Sequence, residues 1–258
     1  MDYRNRASDY KEIRKQDMRL TREVVRLLSL NIGDKVMDVG AGVGNYSEAL
    51  EELGYRVYAV EPVDEMRKLC KNDKIIWINS FADEINLPND TADGAIIINA
   101  IHHFSNVKKS LEEIFRVMKA GSLIIFTFDP IVATKIWLFD YWPELREYET
   151  KNYYNINELK TIISNIYHSN VEEYIFELPY DFCDVFSAAT WRNPHLLLDE
   201  KTRKAMSLFN SIDHTHIENG VNRLRDDLAT GLWNKKYYNI SQKKSLDVGC
   251  RILKVKKI

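Results

Sequence analysis

Val36–Glu61 reads V-M-D-V-G-A-G-V-G-N-Y-S-E-A-L-E-E-L-G-Y-R-V-Y-A-V-E, and the rest of the chain is arranged around it. Val36, Met37 and Val39 form a short apolar run, the kind buried on both faces of a parallel sheet. Gly40, Gly42 and Gly44 follow at once. From Asn45 to Leu53 the apolar residues Tyr46, Ala49, Leu50 and Leu53 recur at helical spacing on one face. Gly54 stops that helix. Arg56–Val60 reads as a second strand, with Glu61 at its carboxyl end. The unit is therefore strand, glycine turn, helix, strand.

Each part of this unit has a physical reason. A ligand lying across a strand-to-helix turn must approach the backbone closely, and only glycine lacks the Cβ that would block it. A carboxylate one strand later can accept two hydroxyl hydrogen bonds at once, which suits a ribose diol. The unit predicts a nucleoside ligand at the carboxyl edge of a parallel sheet. It is not the dinucleotide fingerprint G-x-G-x-x-G, because Asn45 stands where the third glycine of that motif falls.

Asp38, two residues before Gly40, extends the pattern to D-V-G-A-G-V-G. This resembles motif I of the class I S-adenosylmethionine (SAM) methyltransferases, and an acid near the turn suits the positive sulfonium of SAM. The later stretch S-F-A-D-E-I-N-L-P-N-D-T-A-D-G resembles the type 11 group of that family. The resemblance covers Val36 to Pro130 with specific motifs and the remainder loosely. It implies an α/β, Rossmann-like sheet of seven mostly parallel strands with strand seven antiparallel, a helical cap insertion, and SAM as cofactor. By the same resemblance, Asp38, Gly40, Gly42, Gly44 and Glu61 bind SAM. Ala82 and Asp83 meet the adenine edge, and Asn99 lies where such enzymes hold the methionine end. Phe81 occupies the position where the group usually carries an acid, and its ring can stack on the base.

Composition sets the outer limits. The chain has 258 residues, enough for one α/β domain with an insertion, and a net charge of −2. No basic run is long enough for a nucleic-acid track. Lys254, Lys256 and Lys257 alternate with apolar residues, as on the wet face of an edge strand. Cys70, Cys183 and Cys250 are scattered without C-x-x-C spacing, which suggests free thiols in a reducing compartment. The charged amino terminus lacks an apolar signal region, and no apolar run reaches the roughly 18 residues needed to span a bilayer. The expectation is a cytoplasmic monomer or homodimer with no nucleic-acid or membrane partner.

Four segments are expected: a helical lid over 1–30, a SAM-binding core over 31–130, a mostly helical substrate cap over 131–238, and a last core strand within 239–258. The cap contains the sixth strand, about 171–178. In the lid, Tyr10, Ile13 and Arg14 are spaced as on a helix laid over something, and in similar enzymes such a segment covers the SAM pocket. Helices are expected over 107–118, 156–166, 199–212 and 217–229. The cap is aromatic-rich, with Trp137, Phe139, Tyr141, Trp142, Tyr148, Tyr153 and Tyr154 before the sixth strand. Such side chains give large contact area for little lost rotamer freedom, and they favour a small, partly apolar acceptor.

Methyl transfer from SAM is an in-line displacement at carbon, so the protein supplies mainly proximity and alignment. A general base helps only where the acceptor must lose a proton. His103 and Asp129, at the ends of the fourth and fifth strands, are the catalytic candidates. Tyr10, Tyr180, Trp191 and Arg192 are the substrate candidates, with Arg192 suited to a substrate carboxylate. His214 and His216 have no third ligand at metal spacing, so no metal site is expected. The Asp/Asn-Pro-Pro-aromatic motif of DNA amino methylation is absent at Asn99, which begins N-A-I-H, and no Pro-Cys pair exists for cytosine C5 chemistry. Two other uses of the fold stay open at this point. One is SAM consumed without methyl transfer, by cyclisation of its aminobutyrate chain; the other is a non-catalytic SAM-binding regulatory subunit.

Overall fold

The computed structural model describes residues 11–257. Seven strands form one sheet: β1 (Lys35–Val39), β2 (Arg56–Val60), β3 (Ile76–Ile78), β4 (Gly94–Ile98), β5 (Gly121–Phe128), β6 (Val171–Ile175) and β7 (Cys250–Lys257). Their order is β3-β2-β1-β4-β5-β7-β6. The first five are parallel, and β7 runs antiparallel to both of its neighbours. This is the expected seven-stranded, mostly parallel sheet. The centre is its most apolar part. Every residue of β4 is buried, as is every residue of β5 after Gly121. From β1 the chain passes to β2 on one side and later to β4 on the other, so the sheet reverses direction beside β1. Ligands bind in the crevice that such a reversal leaves at the strands' carboxyl ends.

Alternation along the strands sorts side chains onto two faces. Val36, Val57, Ala59, Ile96, Ile98, Ile124 and Phe126 share one apolar cluster with α1 (Met18–Leu28) and α2 (Asn45–Glu52). Met37, Val39, Ala95, Ile97, Leu123 and Ile125 share the other with α3 (Val107–Val117) and α4 (Ile156–Tyr167). The helix starts follow from local chemistry. Asp17 accepts a hydrogen bond from Arg19 N at 2.9 Å to cap α1, and Asn106 accepts one from Lys109 N at 3.0 Å to cap α3. Each satisfies an amide that the helix itself leaves unpaired.

Two expectations need correction. β7 is not an edge strand, since β5 and β6 flank it. Lys254 is accordingly buried, and Lys257 folds back so that its ammonium donates to Phe115 O at 2.7 Å. The strand starts at Cys250 because Ser245–Leu246 pairs instead with Leu178–Pro179 in a two-residue ladder. The helix expected over 199–212 is broken into Glu200–Lys204 and a 3-10 turn, Ser207–Ser211. Ser211 Oγ donates to Leu208 O at 2.6 Å, the local side-chain bond by which serine competes with helix continuation.

The cap-region aromatics are mostly core. Trp137, Trp142, Trp191 and Trp233 are all fully buried. Trp137 meets Trp233 edge-on at 5.5 Å, and Trp142 meets Phe209 edge-on at 5.1 Å. Their cluster is continuous with the α1/α2 face of the sheet. The helix α5 (His214–Ala229) packs on Trp142 through Gly220, where an added Cβ would lie 2.0 Å from the indole Nε1. Gly220→Ala is therefore expected to lower the melting temperature. Overpacking costs about 1–3 kcal/mol, against a helix-propensity gain of about 1 kcal/mol. A thermal melt at or above the wild-type midpoint would contradict this packing.

Candidate active site

The glycine turn has the backbone its sequence requires. Gly40, Gly42 and Gly44 have φ of 77°, 56° and 83°, the left-handed region that other residues enter with strain. An added Cβ at Gly42 would meet only the tip of Met66, at 3.6 Å, so this turn leaves space on its ligand side. Glu61, at the end of β2, reaches back across it. Its Oε2 accepts from Gly42 N at 3.0 Å and its Oε1 from Val63 N at 2.9 Å. Burial raises the Glu61 pKa, while the two amides and the Arg67 charge pull the other way. Each carboxylate oxygen keeps a lone pair for a further donor.

These groups line a cavity of about 380 Å³ at the carboxyl ends of β1, β2 and β4. Of the sequence-derived candidates, the structure brings Gly40, Gly42, Glu61, Ala82, Asp83, Asn99 and His103 to its wall, together with Phe81. Phe81 is 65 % exposed, so it is a cavity-side ring and not a core aromatic under its loop. Asn99 takes φ 51° just after β4, a conformation asparagine tolerates better than most residues. Its Oδ1 and Nδ2 are both buried and have no hydrogen-bond partner among the described residues. A buried amide left so is costly unless a ligand or water satisfies it.

His103 follows in the 3-10 turn Ile101–His103. The residue lines the cavity and is solvent-exposed, with protein crowding its ring from one side. Burial, then the positive charge of Arg14, lower its pKa from the usual imidazole value to about 4. Water in the cavity screens part of that effect, but the direction leaves the ring neutral at neutral pH. His102, its neighbour, turns away to stack on Tyr153 at 4.3 Å and lies 3.3 Å from the Tyr153 hydroxyl.

Several candidates lie elsewhere. Asp38 does not line the cavity but sits beneath it, where Ser47 Oγ donates to its Oδ2 at 2.6 Å. Gly44 starts α2 and packs against Trp77. Asp129 accepts from Ile131 N at 2.9 Å, capping the short helix Pro130–Ala133, and does not line the cavity. Trp191 is fully buried in the aromatic core. Arg192 lies over the Tyr180 ring at 4.5 Å and donates to Lys243 O at 2.7 Å, so both are occupied away from the cavity. Tyr10 lies outside the described residues.

The cavity also contains residues that sequence reasoning did not select. Tyr46, Phe104, Ser105 and Met66 line it, as do Arg14 and Asp184. Asp184 is 1 % exposed. It takes the Arg14 guanidinium on both oxygens and the Tyr46 hydroxyl at 3.2 Å. Its burial beside a cation was not visible in the irregular stretch that carries it. Tyr46 had a signal, being the first aromatic after the glycine turn.

A methyltransferase-domain family model matches residues 37–126. A crystal structure from Anabaena variabilis, described as a methyltransferase from an antibiotic biosynthesis pathway, is 36 % identical with a TM-score of 0.91. That similarity covers 95 % of this chain and 99 % of that one. The chain belongs to the class I SAM-dependent methyltransferases. SAM is the cofactor of this methyltransferase. Demethylmenaquinone methyltransferase of Clavibacter sepedonicus is 28 % identical over 98 residues, 36 % of this chain and 40 % of that protein. A phosphoethanolamine N-methyltransferase of Haemonchus contortus bound to S-adenosylhomocysteine shares the fold. Its TM-score is 0.58 at 16 % identity, covering 97 % of this chain and 56 % of that one. The methyltransferase spans about half the length of the curated relatives it matches. Among the described residues no helix is long and apolar enough to cross a membrane.

Proposed function

We propose that this methyltransferase transfers the methyl group of SAM to an O, N or C atom of a small, partly apolar molecule. The observation that carries the reading is the continuity of the cavity. Glu61 and the glycine turn share one space with Asn99, His103, Tyr46 and Phe104. The wall fits the cofactor's chemistry. Glu61 offers lone pairs to a ribose diol, the open face of Gly42 admits close approach, and the unpartnered Asn99 amide suits the polar amino-acid end. Phe81, Ala82 and Asp83 are assigned to the adenine side. Bound there, SAM supplies an activated methyl group and its own leaving group.

The chain's residues then have to align the acceptor and keep water away. Val43, Met66, Phe81 and Phe104 give the cavity apolar wall. His103, neutral at working pH, accepts a hydrogen bond from an acceptor O–H or N–H and orients its lone pair. With its pKa held low it is a weak base, so it positions the acceptor and does not carry away a full proton. The segment 131–238 serves as a cap whose one described contribution to the cavity wall is Asp184. Incubation with methyl-labelled SAM and a panel of hydroxylated, amino and quinone-like small molecules should give a labelled small product. Label found only on nucleic acid or protein would reject the small-molecule reading. Loss of SAM to an unmethylated cyclised product would reject methyl transfer to this acceptor class.

A further inference from the structure

Arg14 and Asp184 come from two segments, distant in the sequence, that meet at the cavity. Arg14 belongs to the strap over residues 11–17 that precedes α1. Asp184 belongs to the loop after β6. Both side chains line the cavity. The two residues also form an antiparallel backbone bridge. The guanidinium pairs with the carboxylate through Nε and Nη2, and its Cζ lies 5.6 Å from the Phe186 ring centre. Asn45, at the start of α2, donates to Arg14 O, and Tyr46 donates to Asp184 Oδ2. The strap is thus tied to the glycine-turn helix and to the cap loop at one point, over the cofactor space.

A second set of contacts ties the same two segments outside the cavity. Asp17 Oδ2 accepts from Cys183 N at 3.0 Å, and Arg19 Nη1 donates to Asp181 Oδ1 at 2.6 Å. Neither Asp17 nor Arg19 lines the cavity. This outer pair can hold the strap against the cap loop while the inner pair opens. At the strap's beginning, Lys11 donates to Leu69 O at 2.6 Å and Glu12 meets Lys201 at 2.5 Å. The second is an exposed ion pair, which contributes little in water. Residues 11–17 therefore carry a clasp at Asp17 and Arg19, outer contacts at Lys11 and Glu12, and between them a charge pair whose carboxylate is buried.

We propose that the Arg14–Asp184 pair is a latch on the cofactor cavity, opening about the Asp17/Arg19 clasp to let SAM enter and S-adenosylhomocysteine leave. A buried pair resists opening because separating it leaves a charge without its partner in a low-dielectric site. A gate of this kind slows entry and exit together and leaves the equilibrium largely where it was, since the latch closes alike over the empty and the filled cavity. This separates a latch from a ligand contact, whose loss speeds exit alone.

Stopped-flow measurement of S-adenosylhomocysteine binding to the whole chain, by tryptophan fluorescence, tests this. Asp184→Asn and Arg14→Gln should each raise the association and dissociation rate constants by about tenfold, as expected for loss of a charge-assisted bond. The dissociation constant should move by much less, and the double variant should be no faster than either single one. Asp181→Asn, which loosens only the outer clasp, should leave both rates near wild type. If Asp184→Asn folds poorly, Arg14→Gln alone decides, because Arg14 lies on the strap outside the sheet. Unchanged rates in Arg14→Gln would overturn the latch. Faster dissociation with unchanged association would overturn it too, making these residues ligand contacts; S-adenosylhomocysteine that fails to bind wild-type chain would instead count against the cofactor cavity itself.

Discussion

Glu61→Ala should weaken S-adenosylhomocysteine binding by about 1.5–3 kcal/mol, the range for hydrogen bonds to a charged group, or roughly ten- to a hundredfold in affinity. The carboxylate has two tasks in this account. It holds the glycine turn open through Gly42 N and Val63 N, and it presents its remaining lone pairs to the ribose hydroxyls. Alanine removes both and leaves two amides unpaired. Glu61→Gln separates the tasks, because one carbonyl oxygen can still accept from one amide while the amide nitrogen opposes the other. Calorimetric titration should place Gln between wild type and Ala. Affinity unchanged in Glu61→Ala would move the ribose contact to another residue.

The second expectation concerns pH. Asp38 is 2 % exposed in the sheet, and burial pushes its pKa up to about 7. The Ser47 hydroxyl opposes that rise, and the nearby charge of Glu61 adds to it. Unfolded, the same carboxyl titrates near 4. Its native pKa is raised, so its stabilisation is full below about pH 4 and is lost as pH rises through about 7. Asp38→Asn does not titrate. The stability of that variant relative to wild type should rise between pH 4 and pH 8 by up to about 4 kcal/mol, from a shift of roughly three pH units at 1.36 kcal/mol each. Glu149, also buried and pushed up to about 7, adds a slope of the same sign that Glu149→Gln would remove. Parallel melts across that range check it. A gap between Asp38→Asn and wild type that stays constant with pH would show that Asp38 does not titrate in the window.

The sheet was legible because its signal repeats. Short apolar runs, most of them ended by a turn and followed by a helical period, predict parallel strands one after another; β1, β2 and β4 follow that rhythm, while β3 passes to β4 through a loop. The glycine turn and Glu61 were legible because their chemistry constrains residue type. Asp38 does not reach the cavity wall, and the strand period already says where it goes. Residues two apart share a face, so Asp38 follows Val36 onto the α2 side, where Ser47 waits. The cap resisted because aromatics carry no period. The same Trp and Tyr residues that suggest a ligand lining also build a core, and here Trp137, Trp142, Trp191 and Trp233 do the latter. Asp184 illustrates the remaining gap. Its significance comes from Arg14, far away in the chain, and no local pattern links the two.

The place of β7 between β5 and β6 also decides when this sheet can be finished on the ribosome. β5 has left the exit tunnel long before residues 250–257 have been made, and among the described residues β6 has no sheet neighbour other than β7. Throughout synthesis of residues 129–249 the flank of β5 keeps a row of unpaired amides and carbonyls, and β6 has nothing to join. Open strand edges invite pairing with other chains. The nascent protein is thus most exposed to misassembly during the part of its synthesis in which the aromatic-rich segment after β5 is being made. Closure comes in one late step, when a single strand slides between two waiting partners and seals both flanks at once.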